Sequence, residues 1–176
     1  MKNMSRIFCI FFTAIILTLF NGCTITNNLT CQKINENSNF DFKLFTPFSQ
    51  CDFSNYSVIE GYGITGYYLN SIDYDSSAAC IQGGTPIVIY SVSKKIGGMI
   101  GEQVITRIQC YNPNYQLFGC SVNSSSSAFK NALLSNGFTL INESPHSLRV
   151  EKGRVIISLS INSAKSTVSS FMINVY

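Results

Sequence analysis

Val155, Ile157, Leu159 and Ile161 alternate with Arg154, Ser158 and Ser160, and Phe171, Ile173 and Val175 repeat that period of two a few residues later. Successive side chains of an extended chain point to opposite faces, so this alternation predicts strands with one dry side and one wet side. Residues 138–142 and 147–152 read as two further strands, giving four candidates with 155–161 and 168–175. Pro145, Gly153 and the stretch from Ser163 to Ser166 supply the turns between them. A dry sheet face needs a cover. Residues 126–136 are the one persuasive helix, with Ala128, Phe129, Ala132 and Leu133 in a stripe at helical spacing. Serines 124–127 offer N-caps and Gly137 a left-handed stop. The expected class is α+β: antiparallel sheet or sheets, one helix, then a three- or four-stranded C-terminal meander.

The preceding half has weaker punctuation. Phe40, Phe42 and Leu44 alternate over residues 40–45 as a short strand would, and residues 58–74 hold one or two strands with a bend among glycines. Residues 87–92 are a β-branched strand, followed by a glycine-rich connection over 94–101. Residues 103–111 and 115–122 read as a hairpin joined by Asn112-Pro113-Asn114. In that register Cys120 faces Thr106, four residues from Cys110, or about 13 Å at strand rise. A disulfide needs Cα atoms within about 7 Å, so Cys110 and Cys120 are not expected to pair with each other.

Charge placement at the start of the chain speaks to its address. Lys2 and Arg6 precede fourteen uncharged residues, 7–20, rich in Ile, Phe and Leu. That matches the basic and apolar regions of a secretory signal and is too short for a bilayer, which takes about 20 apolar residues. Leu19-Phe20-Asn21-Gly22-Cys23 then resembles the lipobox of bacterial lipoproteins. The resemblance implies cleavage after Gly22 and a diacylglycerol on the Cys23 sulfur. Phe20 and Asn21 depart from the commonest pattern, which has Leu and a small residue there. Thr24 in place of Asp favours the outer membrane, by the sorting rule of similar lipoproteins. The expected organisation is an export signal over 1–22, a lipid anchor and flexible, asparagine-rich tether over 23–39, and one α+β domain over 40–176.

An exported compartment admits disulfides. The candidates are Cys31, Cys51, Cys80, Cys110 and Cys120, with Cys31–Cys51 and a bridge from Cys80 to Cys110 or Cys120 as the favoured set. If Cys23 is not lipidated, six cysteines allow three bridges, which argues against the lipobox. No C-x-x-C occurs and His146 is the single histidine, so no metal site is expected. No cofactor is expected either. Gly61-Tyr62-Gly63-Ile64-Thr65-Gly66 fits the dinucleotide fingerprint by letter, but residues 67–71 carry no helical stripe to open behind it. A bulged or bent strand is the better reading.

Lys2 and Arg6 account for two of the twelve basic side chains, leaving ten against nine acidic ones. No basic run exceeds Lys94-Lys95, so nucleic acid is not an expected partner. Tyr56, Tyr62, Tyr67, Tyr68 and Tyr74, with Phe53, form the leading candidate interaction surface, because tyrosine joins a large apolar body to a hydroxyl. Alternate members filling the core is the competing account. The expected function is an envelope-anchored binding, accessory or assembly module. Its partners are the membrane, through the lipid, and another envelope protein. Two alternatives stay open: an exported polymer hydrolase using His146 or the Asp73/Asp75 pair, or a soluble disulfide-stapled factor.

Overall fold

The computed structural model describes residues 29–61, 64–70, 86–96 and 99–176. In chain order these hold helix α1 over residues 29–36, a 3-10 turn at Phe48–Gln50, β1 (Ser57–Gly61), β2 (Ile64–Asn70), β3 (Pro86–Ile96) and β4 (Met99–Cys110). After them come β5 (Gln116–Leu117), β6 (Cys120–Ser121), α2 (Ser126–Ser135), β7 (Thr139–Glu143), β8 (Ser147–Lys152), β9 (Val155–Asn162) and β10 (Thr167–Val175). Among the described residues, eight strands form one antiparallel sheet in the order β1-β2-β3-β4-β10-β9-β8-β7. β5 and β6 pair separately.

Two rows of side chains run straight across this sheet and explain its continuity. Tyr90, Ile108, Ile173, Ile157 and Val150 are partners in successive strands, and all are buried. Val88, Cys110, Phe171, Leu159 and Leu148 form the adjacent row, also buried. The C-terminal alternation therefore aligns its apolar positions with those of β3 and β4, and the β4–β10 pairing welds two meanders into one sheet. The opposite face stays wetter, with Arg149 exposed and Ser158 half-buried. α2 begins where the serine run predicts: Ser125 accepts the Ala128 amide at 3.1 Å. Its buried residues are Phe129 and Leu133, and Phe129 meets Phe171 edge-on at 5.3 Å. Gly137, at φ +83°, ends it, and Lys152 Nζ donates to the Asn136 carbonyl at 3.0 Å. A cation there also suits the negative end of the helix dipole.

Four local expectations are corrected. Residues 40–45 form no strand; Phe40 and Leu44 are buried from an irregular turn in which Phe45 reaches φ 65°. Alternation there serves a loop whose hydrogen bonds go elsewhere: Phe45 N–H donates to the Ile105 carbonyl and Ile105 N–H to the Thr46 carbonyl. The connection expected over 94–101 is largely strand, since Lys95 partners Ile100 and Ile96 partners Met99. The 103–111/115–122 hairpin does not exist. β4 is occupied on both sides by β3 and β10, so residues 116–121 turn back on themselves as β5 and β6.

The fourth correction moves the start of the folded part. The flexible tether expected over 23–39 does not extend across its described portion, because residues 29–36 are helical and residues 37–39 are hydrogen-bonded to residues in 114–118. Ile34 and Cys31 are within 1% of complete burial and Thr30 is 3% exposed. The asparagines responsible for the polar composition act as substitute backbone. Asn35 donates to the Leu44 carbonyl and accepts its amide, at 3.1 and 2.9 Å. Asn39 does the same across residues 114 and 116, at 2.8 and 2.6 Å.

Candidate functional site

Three tyrosines from distant parts of the chain converge on Asp41. Tyr56 and Tyr115 both donate their phenol hydrogens to Asp41 Oδ2, at 2.9 and 2.6 Å. Tyr90, fully buried on β3, accepts the Asp41 amide on its phenol oxygen at 3.0 Å. Rings close the cluster: Phe42 lies 4.6 Å from Phe53, 5.5 Å from Tyr56 and 5.1 Å from Tyr90, while Phe40 stacks on Tyr115 at 5.8 Å. Burial is the first cause that pushes the phenols of Tyr56, Tyr90 and Tyr115 upward, and the Asp41 charge adds to it. All three stay protonated at neutral pH and serve as donors or acceptors, with no tendency toward phenolate chemistry.

This cluster pins the loop 37–48 onto the sheet. We expect Asp41→Asn and Tyr115→Phe each to cost about 1 kcal/mol, with a double-mutant coupling of similar size. Urea unfolding of the two single variants and the double variant reads this directly. Strict additivity would show that the carboxylate and the phenol are neighbours without interaction.

Of the tyrosines proposed as an interaction surface, Tyr56 belongs to this cluster and is half-buried. Tyr67 and Tyr68 lie in β2, at register positions opposite Tyr90 and Ile89. Tyr62 and Tyr74 lie outside the described residues, as do Cys23, Cys80, Asp73 and Asp75. Residues 61 and 64–66 of the fingerprint-like sequence are strand positions, with Gly61 partnering Ile64 and Gly66 partnering Ile59. The described part of the segment is thus antiparallel strand. His146 is exposed in the β7–β8 turn, where its amide donates to Ser144 Oγ at 3.3 Å.

The favoured Cys31–Cys51 bridge is absent. Cys31, Cys51, Cys110 and Cys120 all carry free thiols. Cys31 is committed to the inner face of α1, while the Cys51 thiol donates to the Pro47 carbonyl at 3.4 Å and the Cys110 thiol to the Asn112 carbonyl at 3.3 Å. Burial pushes the Cys31 thiol up to about 12 and that of Cys110 up to about 11. The thiolate is the species that oxidises and exchanges, so both are chemically quiet. No group of three or more His, Cys, Asp or Glu suited to a metal occurs among the described residues.

One open recess of about 500 Å³ lies between α1 and the following loop, lined by Gln32, Glu36, Lys43 and Phe45 among others. Its polar groups are already engaged. Gln32 donates to Glu36 at 2.8 Å and Lys43 to the Ser38 carbonyl at 2.6 Å. Desolvation lowers the Lys43 ammonium, and nearby Asp41 offsets part of that. Sequence reasoning missed the Asp41 cluster because its partners are 15, 49 and 74 residues away, with no local pattern.

No protein-family model, no curated protein and no solved structure matches the chain. Among the described residues, no helix is long and apolar enough to cross a membrane.

Proposed function

We propose that this chain is an exported lipoprotein, with residues 1–22 as its signal and a diacylglyceryl thioether on Cys23. Its folded part, classed α+β, acts in the cell envelope as a binding, accessory or assembly module with no evident catalysis. The observation that carries this reading is the run from Lys2 and Arg6 through the uncharged residues 7–20 to Leu19-Phe20-Asn21-Gly22-Cys23. The free thiols add support. The main argument against the anchor is a three-bridge framework that would claim Cys23, and four of the five other candidate cysteines make no bridge. The partner class is another envelope protein. Thr24 after the anchor favours the outer membrane.

Metabolic labelling with an alkyne fatty acid, followed by intact mass of the purified protein, tests the proposal. The expected result is label and diacylglyceryl mass on the wild type, both lost in Cys23→Ser. An unmodified sulfur at position 23 would defeat it.

A further inference from the structure

We infer that α1 is held against the phospholipid head-group layer, with Leu29 and Lys33 on the side that meets the bilayer. This rests on the proposed acylation of Cys23. The argument begins with chain length. Six peptide steps separate Cys23 from Leu29. Whatever their conformation, they span at most about 20 Å. A free tether running to residue 39 would reach about 60 Å by the same measure. The shorter limit holds because Thr30, Cys31 and Ile34 are embedded in the core, so α1 moves only with the sheet it covers. A folded chain of this length has a radius of gyration of about 15 Å, which makes its body about 40 Å across. The leash is therefore shorter than the body it holds, and the α1 corner must stay beside the lipid.

Two of the four exposed residues of α1, Leu29 and Lys33, fit that position. Leu29 is 59% exposed, the most exposed of the large apolar side chains among the described residues. Lys33 lies one turn further along the helix, and it is exposed too. Residues four apart share a helix face. An apolar side chain beside a long cation suits the head-group region, where the first leaves water and the second reaches phosphate. In this arrangement the recess lined by Gln32, Glu36 and Lys43 opens near the membrane surface, while β7, exposed along its whole length, remains a sheet edge.

The chain contains no tryptophan, so a single introduced indole reports without background. Full-length acylated Leu29→Trp, and separately Lys33→Trp, would be reconstituted into phosphatidylethanolamine/phosphatidylglycerol vesicles with a spin-labelled head-group lipid. The expected result is fluorescence quenched at least about twofold. Inserting a Gly/Ser spacer of about 40 residues between positions 28 and 29, with an r.m.s. length of about 35 Å, should abolish most of that quenching. Acylated protein that floats with the vesicles but shows no more quenching than its spacer variant overturns the inference alone. It would leave α1 as a face for a protein partner. Missing acyl mass on Cys23 overturns the lipoprotein reading, and the inference falls with it.

Discussion

Replacing Ile34 with alanine is expected to lower unfolding stability by about 3 kcal/mol, within the range of about 2–5 for emptying a buried aliphatic site. For a chain of this size that corresponds to a fall in Tm of about 6–12 °C. Ile34 is 0% exposed and sits in the same core cluster as Phe40, Leu44 and Leu117. Its neighbour Lys33 is exposed, so Lys33→Ala should change stability by less than about 0.5 kcal/mol. Chemical denaturation of the two variants beside wild type separates the cases. A harmless Ile34→Ala would return residues 29–39 to the status of a tether. It would also free the domain from the short leash on which the membrane-facing placement of α1 depends.

Alkaline pH should produce the second large effect. Cys31 is raised to about 12 and Cys110 to about 11, each from an ordinary value of 9.0, and Tyr90, Tyr56 and Tyr115 are raised by burial and by Asp41. The folded state therefore keeps protons that the unfolded chain releases. Their stabilising contribution is complete below about pH 9 and is lost as pH climbs through the folded values. From neutral pH to pH 11 the two buried thiols alone remove about 5 kcal/mol. That is comparable with the whole stability of many domains, about 5–15 kcal/mol. Urea midpoints at pH 7, 9, 10 and 11 should hold steady to pH 9 and then fall steeply, and Cys31→Ala should flatten the fall. Midpoints unchanged from pH 8 to 11 would mean that these groups are not buried as described.

The absence of bridges among the described cysteines bears on the proposed life of this chain outside the cytoplasm. Cys31 and Cys110 are protected by geometry, since a thiol in an apolar core seldom ionises. Cys51 and Cys120 are half-buried and, among the described thiols, are the ones that oxidising conditions would find first. Stability then comes from the two apolar rows across the sheet and their covering layer, with no covalent staples among the described cysteines.

How far the fold was legible depended on the range of the interactions involved. β8, β9, β10 and α2 announce themselves because their signals are local: a period of two, a stripe at helical spacing, a serine that caps its own helix. β4 obscures its own pattern. Ile105 and Thr106 are both buried because Ser91 partners Arg107 while Val92 partners Ile105, leaving Thr106 as an extra residue in a bulge. In α1 the buried positions 30, 31 and 34 do lie on one face, but they are Thr, Cys and Ile among polar neighbours, too faint a stripe to outweigh the asparagines.

The sequence by itself determined the C-terminal meander and the helix before it, since each follows from residues close together in the chain. Only the tertiary structure decided that two meanders share one sheet, that residues 29–36 belong to the fold, and that Tyr56, Tyr90 and Tyr115 gather around one carboxylate. Those outcomes depend on which apolar rows match across strands and which amides find carbonyls in distant loops. Such matching is a property of surfaces brought together in space, and no window of neighbouring residues carries it.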